Sequence, residues 1–196
     1  MTTVSTSAAP DGRRQRSEGS KQAIIEAMLE MIGEGILIPS AQQVSDRAGV
    51  GIRSVFRHFE NMESIFIMAD ETRRTRYEDD FLGGDRQGGV EERILLMVEH
   101  RAKGYELHGN VMLSTKSQRW RYATLRKNYG RYQRGLRKNL EDWLSELAAL
   151  DVGTREAADG IASFEFWNRL RDHQGLSKRA AIDVVVKMLN GLVKAT

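Results

Sequence analysis

The sequence contains no cysteine, which excludes disulfides, thiol catalysis and cysteine-ligated zinc or iron–sulfur centres. Its four histidines, His58, His100, His108 and His173, are scattered, and none lies three to five residues from another. The spacing of a dedicated metal site is therefore missing, and neither a metal nor a cofactor is expected. No apolar run is long enough to cross a bilayer, and the opening MTTVSTSAAPDG lacks the apolar stretch of a secretory signal, so a cytoplasmic protein without a membrane partner is expected. The only glycine-rich stretch, GGDRQGG, lacks the lysine of a phosphate-cradling loop, and no nucleophile–base pair or carboxylate dyad follows from spacing, so an enzyme is not expected. Prolines are limited to Pro10 and Pro39, which leaves long helices uninterrupted. Net charge is small too, at +3, so its distribution matters more than its sum.

What the sequence has is helical periodicity, with no sustained strand-like alternation. Its 196 residues, 40% hydrophobic, suffice for one sizeable core or for a small domain on a larger one. After a polar tail with Arg13, Arg14 and Arg16, the positions Ile24, Ile25, Met28, Leu29 and Ile32 mark one face of a first helix, ended by Gly33 and Gly35. Ser40 and Gln43 form a capping box for a short second helix, from Ala41 to about Ala48. Gly49 suits a left-handed helix end, and Gly49 to Ile52 leaves room only for a tight turn before a third helix. These elements make a helix-turn-helix. In the third helix Val55 and Phe59, four apart, face inward and turn Arg53, Ser54, Arg57 and His58 outward. Such a helix fits a DNA major groove, where arginine bonds guanine bidentately and serine reaches a base or phosphate. Asn61 caps a fourth helix that runs to about Leu82.

The segments KQAIIEAMLEMIGEG, QQVSDRAGVGIRSVFRHF and ENMESIF, in that order, resemble the TetR family of bacterial transcriptional regulators. The resemblance is strongest between about Arg14 and Phe66. It implies an all-α protein: a three-helix DNA-binding domain (17–62) after a flexible basic tail (1–16), then a larger helical domain (63–196) for effector binding and dimerisation. It also implies a homodimer on double-stranded, palindromic operator DNA. Position by position it places Gln42, Ile52, Arg53 and Ser54 near bases, and Phe56, Arg57 and His58 near the backbone or groove wall. Arg13, Arg14, Arg16 and Ser40 complete the expected DNA-binding set. Two positions depart from the family pattern: Phe56 stands where tyrosine is common, and Met62 where lysine is common. Each removes one possible phosphate contact.

Beyond Phe66 the periodicity carries the reading. One helix is expected over Glu91 to about Leu107. A second carries the stripe Leu125, Tyr129, Tyr132, Leu136, Leu140, Trp143 and Leu147, and a third, capped by Thr154, runs to about Leu170. The last helix, capped by Ser177, bears apolar residues nearly all round, so Ala181, Val184, Val185, Met188, Leu189 and Leu192 are expected at a dimer interface. From His100 to Leu140 there are eleven lysines and arginines against one acid, Glu106. Three readings of this segment stay open: a solvated helix face, a contact for an anionic effector, or a second nucleic-acid surface. Trp120, Tyr129, Phe164 and Trp167 are the expected lining of an effector cavity. The function that follows is a regulator, acting as a repressor, released by a small hydrophobic or amphipathic effector with an anionic end. The alternative is a helical small-molecule carrier whose operator binding is weak or lost.

Overall fold

A computed structural model of the chain describes residues 9–194, and among these every regular segment is helical. The first helix, α1 (Ala9–Gly33), buries Ile24, Ile25, Met28, Met31 and Ile32. It begins earlier than expected: residues 9–16, read from the sequence as flexible tail, are its first two turns. Pro10 sits in the first turn, where the missing amide hydrogen has no helical partner to lose. Two side chains then bond carbonyls four residues back, Arg16 Nε to Gly12 O and Ser20 Oγ to Arg16 O, both at 3.0 Å.

Next come α2 (Ala41–Arg47) and α3 (Ile52–His58). The Ser40 hydroxyl accepts from Gln43 N at 3.3 Å, and Gln43 Oε1 accepts from Ser40 N at 2.9 Å, satisfying amides that a first turn leaves bare. Gly49 adopts φ 66°, a conformation a side chain would strain. Ser45 Oγ donates to Val50 O at 2.6 Å and so holds the turn onto α2. Arg47 reaches Glu34 through two hydrogen bonds of 2.8 and 2.7 Å, tying α2 to the end of α1. Val44, Val55 and Phe59 close over Ile24 and Met28 in one cluster. The next helix, α4 (Met62–Leu82), starts with a reciprocal cap between Asn61 and Ser64, 3.0 and 3.2 Å, and adds Ile65, Phe66 and Ala69 to that cluster.

The body contains α5 (Val90–Gln118), α6 (Ala123–Trp143), a 3-10 turn (Ser145–Ala149), α7 (Val152–Ile161), α8 (Phe164–Asn168), a π turn (Arg169–His173) and α9 (Lys178–Lys194). Its core includes Phe81, Met97, Leu140, Trp143, Trp167 and Leu189. Several boundaries differ from the sequence reading. Rather than stopping near Leu107, α5 continues to Gln118. The stripe from Leu125 to Leu147 is not one helix but breaks after Trp143. Asp151, not Thr154, caps α7, accepting from Thr154 N at 3.2 Å. The helix expected from Thr154 to Leu170 is split, because Ser163 turns its hydroxyl onto Phe166 N at 3.2 Å and starts α8 afresh.

Two features pin α5 at the centre. A Cβ on Gly104 would lie 2.7 Å from the Phe81 ring, so only glycine permits this approach of α4 to α5. Arg101, 3% exposed, donates to Ala162 O at 2.9 Å and Leu136 O at 2.5 Å, joining α5 to α6 and to the end of α7. The head, α1 to α3 with the first turns of α4, and the body are also stitched directly. Asn110 Nδ2 donates to Gly33 O at 2.8 Å and Ser114 Oγ to Leu37 O at 2.6 Å, while Leu125 at the start of α6 is buried in the head's cluster.

Candidate functional site

On the head, Arg53, Phe56 and Arg57 stand exposed on α3, while Ile52, Ser54 and His58 are half-buried beside them. This is the amphipathic split that Val55 and Phe59, both buried, impose on so short a helix. Two expected DNA-binding side chains are engaged locally. Gln42 Nε2 donates to Asp46 Oδ1 at 2.7 Å, and Ser40 is held in its cap by Gln43. Arg14 is exposed on α1; the side chain of Arg13 lies outside the described residues. Folding gives one of the expected arginines a neighbour from another helix. Arg16 faces a hollow of about 600 Å³ together with Ser17, Ser20 and Arg57, so α1 and α3 present two guanidinium groups to one concavity. No local signal in the sequence brings Arg16 to Arg57, because α1 was expected to begin after it.

A cavity of about 540 Å³ lies between α1, α4, α5 and α8, lined by Leu29, Gly33, Thr72, Tyr105, Phe164 and Trp167 among others. Its volume falls in the range of small-molecule sites. Phe164 and Trp167, two of the four residues expected to line an effector cavity, are on its wall, and Tyr105, whose hydroxyl donates to Ala162 O at 2.7 Å, joins them. Glu106 and Arg171 pair at 2.8 Å on the same wall, and Trp167 Nε1 donates to Glu106 at 3.1 Å. Hydrogen bonds from Arg171 hold the Glu106 carboxyl below the usual carboxylate range, against a smaller opposing effect of burial. Trp120 is a correction: it is 78% exposed and lines no part of this cavity, since the chain turns outward between α5 and α6.

Tyr129 lines a separate, much smaller cavity, about 30 Å³, with Asp70, Tyr77 and Tyr132. Asp70 accepts from Asn128 Nδ2 at 2.7 Å and from Tyr132 OH at 3.2 Å. Burial pushes its carboxyl up, partly offset by those two bonds. Burial also pushes the Tyr132 hydroxyl up to about 12, helped by the neighbouring Asp70 charge, so it stays a hydrogen-bond donor. These bonds clasp α4 to α6. The basic residues of α6 are absent from the wall of the 540 Å³ cavity, whose charged side chains are Arg73, Glu106 and Arg171. An anionic effector end therefore finds no support from the arginines between Arg119 and Arg137.

Of the six residues expected at a dimer interface, three are buried inside the single chain. Ala181, Val185 and Leu189 are 0, 4 and 0% exposed within a single chain and form part of its own core. They are buried because α9 packs on α5 and α7 of the same molecule. Val184 and Leu192 are half-buried, and Met188, 39% exposed, is the residue of the expected set that points most freely outward.

No protein-family model and no curated protein matches this sequence. Solved structures do share its architecture. A transcriptional regulator from Rhodococcus sp. RHA1 gives a TM-score of 0.62 over 88% of this chain and 95% of its own, at 16% identity. A TetR transcriptional regulator from the same organism gives 0.52 over 92% and 98%, again at 16% identity. The chain has the all-α fold of TetR-type transcriptional regulators, as the resemblance between about Arg14 and Phe66 implied. Among the described residues no helix is long and apolar enough to cross a membrane.

Proposed function

We infer that this chain is a DNA-binding transcriptional regulator that works as a homodimer on a palindromic operator, and that a small hydrophobic or amphipathic effector releases it as a repressor. The observation that carries the reading is the helix-turn-helix itself. Arg53 and Arg57 project from a short helix whose other side is locked into the head, and two solved regulators share the fold around it. Arg53 is the candidate for bidentate bonding to guanine, and Arg57 with Arg16 for phosphates.

The effector's place is the 540 Å³ cavity, because its wall includes Leu29 and Gly33 of α1 as well as Thr72 and Arg73 of α4. A ligand there touches the head and its connecting helix at once. Asn110 and Ser114 would carry any displacement of α5 to the carbonyls of Gly33 and Leu37. Such a ligand releases DNA only if it binds the non-DNA arrangement more tightly, and operator DNA must then weaken ligand binding by the same factor. Selection of bound fragments from random and genomic DNA tests the reading. Enrichment of a palindrome with half-sites about one helical turn, or a small multiple, apart supports it. Absence of any enriched sequence sinks it in favour of a ligand carrier.

A further inference from the structure

The corner between α5 and α6 carries features that the reading head and the cavity do not use. Trp120 is 78% exposed, more than any other large apolar side chain described. On either side of it the guanidinium of Arg119 lies 4.3 Å from the centroid of Tyr129, and that of Arg121 lies 5.4 Å from that of Tyr122. Both cations are thus ordered in advance by aromatic faces. One turn into α6, Arg126 and Lys127 are exposed, and among the described residues neither they nor Arg121 has an ion-pair partner. The exposed charge continues along the helix as Lys127, Arg131, Arg134 and Lys138, spaced four, three and four apart, and no acid occurs from Leu107 to Leu140. Like charges at that spacing disfavour a helix, so the stripe is not explained by the stability of α6.

The corner's position narrows the partner. The Tyr122 ring is 6.2 Å from Phe66, and Leu125 is buried in the head's own cluster. Phe66 lies in the second turn of α4, which begins four residues after α3 ends. The corner therefore stands beside the head, against the second turn of α4. We propose that Arg119 to Lys127 form a second DNA contact, gripping phosphates of the duplex that flanks the half-site. This rests on the DNA-binding reading above. Ordered guanidinium groups suit phosphate oxygens, whereas a membrane surface would require several apolar side chains on the exposed face, which offers Trp120 alone beside the cations.

The test compares two duplexes carrying the selected palindrome, one ending at the half-sites and one extended by about ten base pairs at each end, titrated over a range of salt. The wild type should bind the extended duplex about tenfold tighter, with a log–log salt slope steeper by about 5, given about 0.9 per phosphate contacted, three cations per corner and two corners per dimer. The triple variant R121A/R126A/K127A should melt at the wild-type temperature, bind the short duplex as the wild type does, and lose the increment. Equal affinity and slope of the wild type on both duplexes overturns the proposal, as does an increment that survives in the variant. Both results leave sequence-specific binding intact and so differ from failure of the selection, which removes the DNA-binding reading itself.

Discussion

Leu125→Ala probes whether the start of α6 is structurally part of the reading head. Leu125 is 2% exposed and packs in the cluster formed by α1 to α4 rather than with the body of its own helix. Removing three buried carbons loses about 2.4 kcal/mol of transfer free energy at roughly 0.8 kcal/mol each. The cavity left behind raises the cost to about 3 kcal/mol, inside the usual range for buried leucine. For a chain of this size that lowers the melting midpoint by roughly 6–12 °C. Leu140→Ala is the control, since Leu140 is 1% exposed but sits in the body core. Hydrogen exchange read by mass spectrometry separates the two, because sub-global openings report where packing was lost. Leu125→Ala should expose amides of Ile24 to Ile32 and the first turns of α4, and Leu140→Ala those around Trp143. A midpoint drop below about 3 °C, or lost protection confined to the body, refutes the assignment of Leu125 to the head.

Arg53→Ala removes an exposed side chain, so melting should be unchanged while preference at one base position relaxes, costing about 1–3 kcal/mol in titrations of matched and mismatched duplexes; an unaltered preference excludes Arg53 as a base contact. Val185→Glu drives a carboxylate into the protomer's own core and should abolish the folded far-UV and near-UV spectra. Met188→Glu, on a partly exposed site, should keep them and yield a monomer in sedimentation, whereas a folded dimer at low concentration moves the interface elsewhere. Glu106 and Asp70 make opposite predictions for pH. Because Arg171 holds the Glu106 carboxyl low, its stabilisation is present above the ordinary carboxylate pKa and fades as pH falls through the folded value. Because burial pushes Asp70 up, its contribution is present at acid pH and fades as pH rises through the raised value. From about pH 7 to 3, the wild type's melting advantage should therefore shrink over Glu106→Gln and grow over Asp70→Asn; parallel trends contradict the assigned causes.

Features that rest on near neighbours were legible in the sequence. The Ser40–Gln43 box, the Asn61 cap and the left-handed Gly49 each involve partners within a few residues, so residue type and spacing suffice to specify them. The head's inward and outward faces follow from the same helical period. Tertiary structure alone decided what depends on distant partners. Asn110 and Gly33 are 77 residues apart, as are Ser114 and Leu37, and no local pattern announces either bond. The period of α6 marks Leu125 and Leu140 as equally buried, yet one belongs to the head and the other to the body. The same limit misled the reading of α9: an apolar residue seeks any dry surface, and only the packing of α5 and α7 directs Ala181, Val185 and Leu189 into their own chain. Burial is a property of the assembled neighbours, whereas periodicity records only which residues share a face.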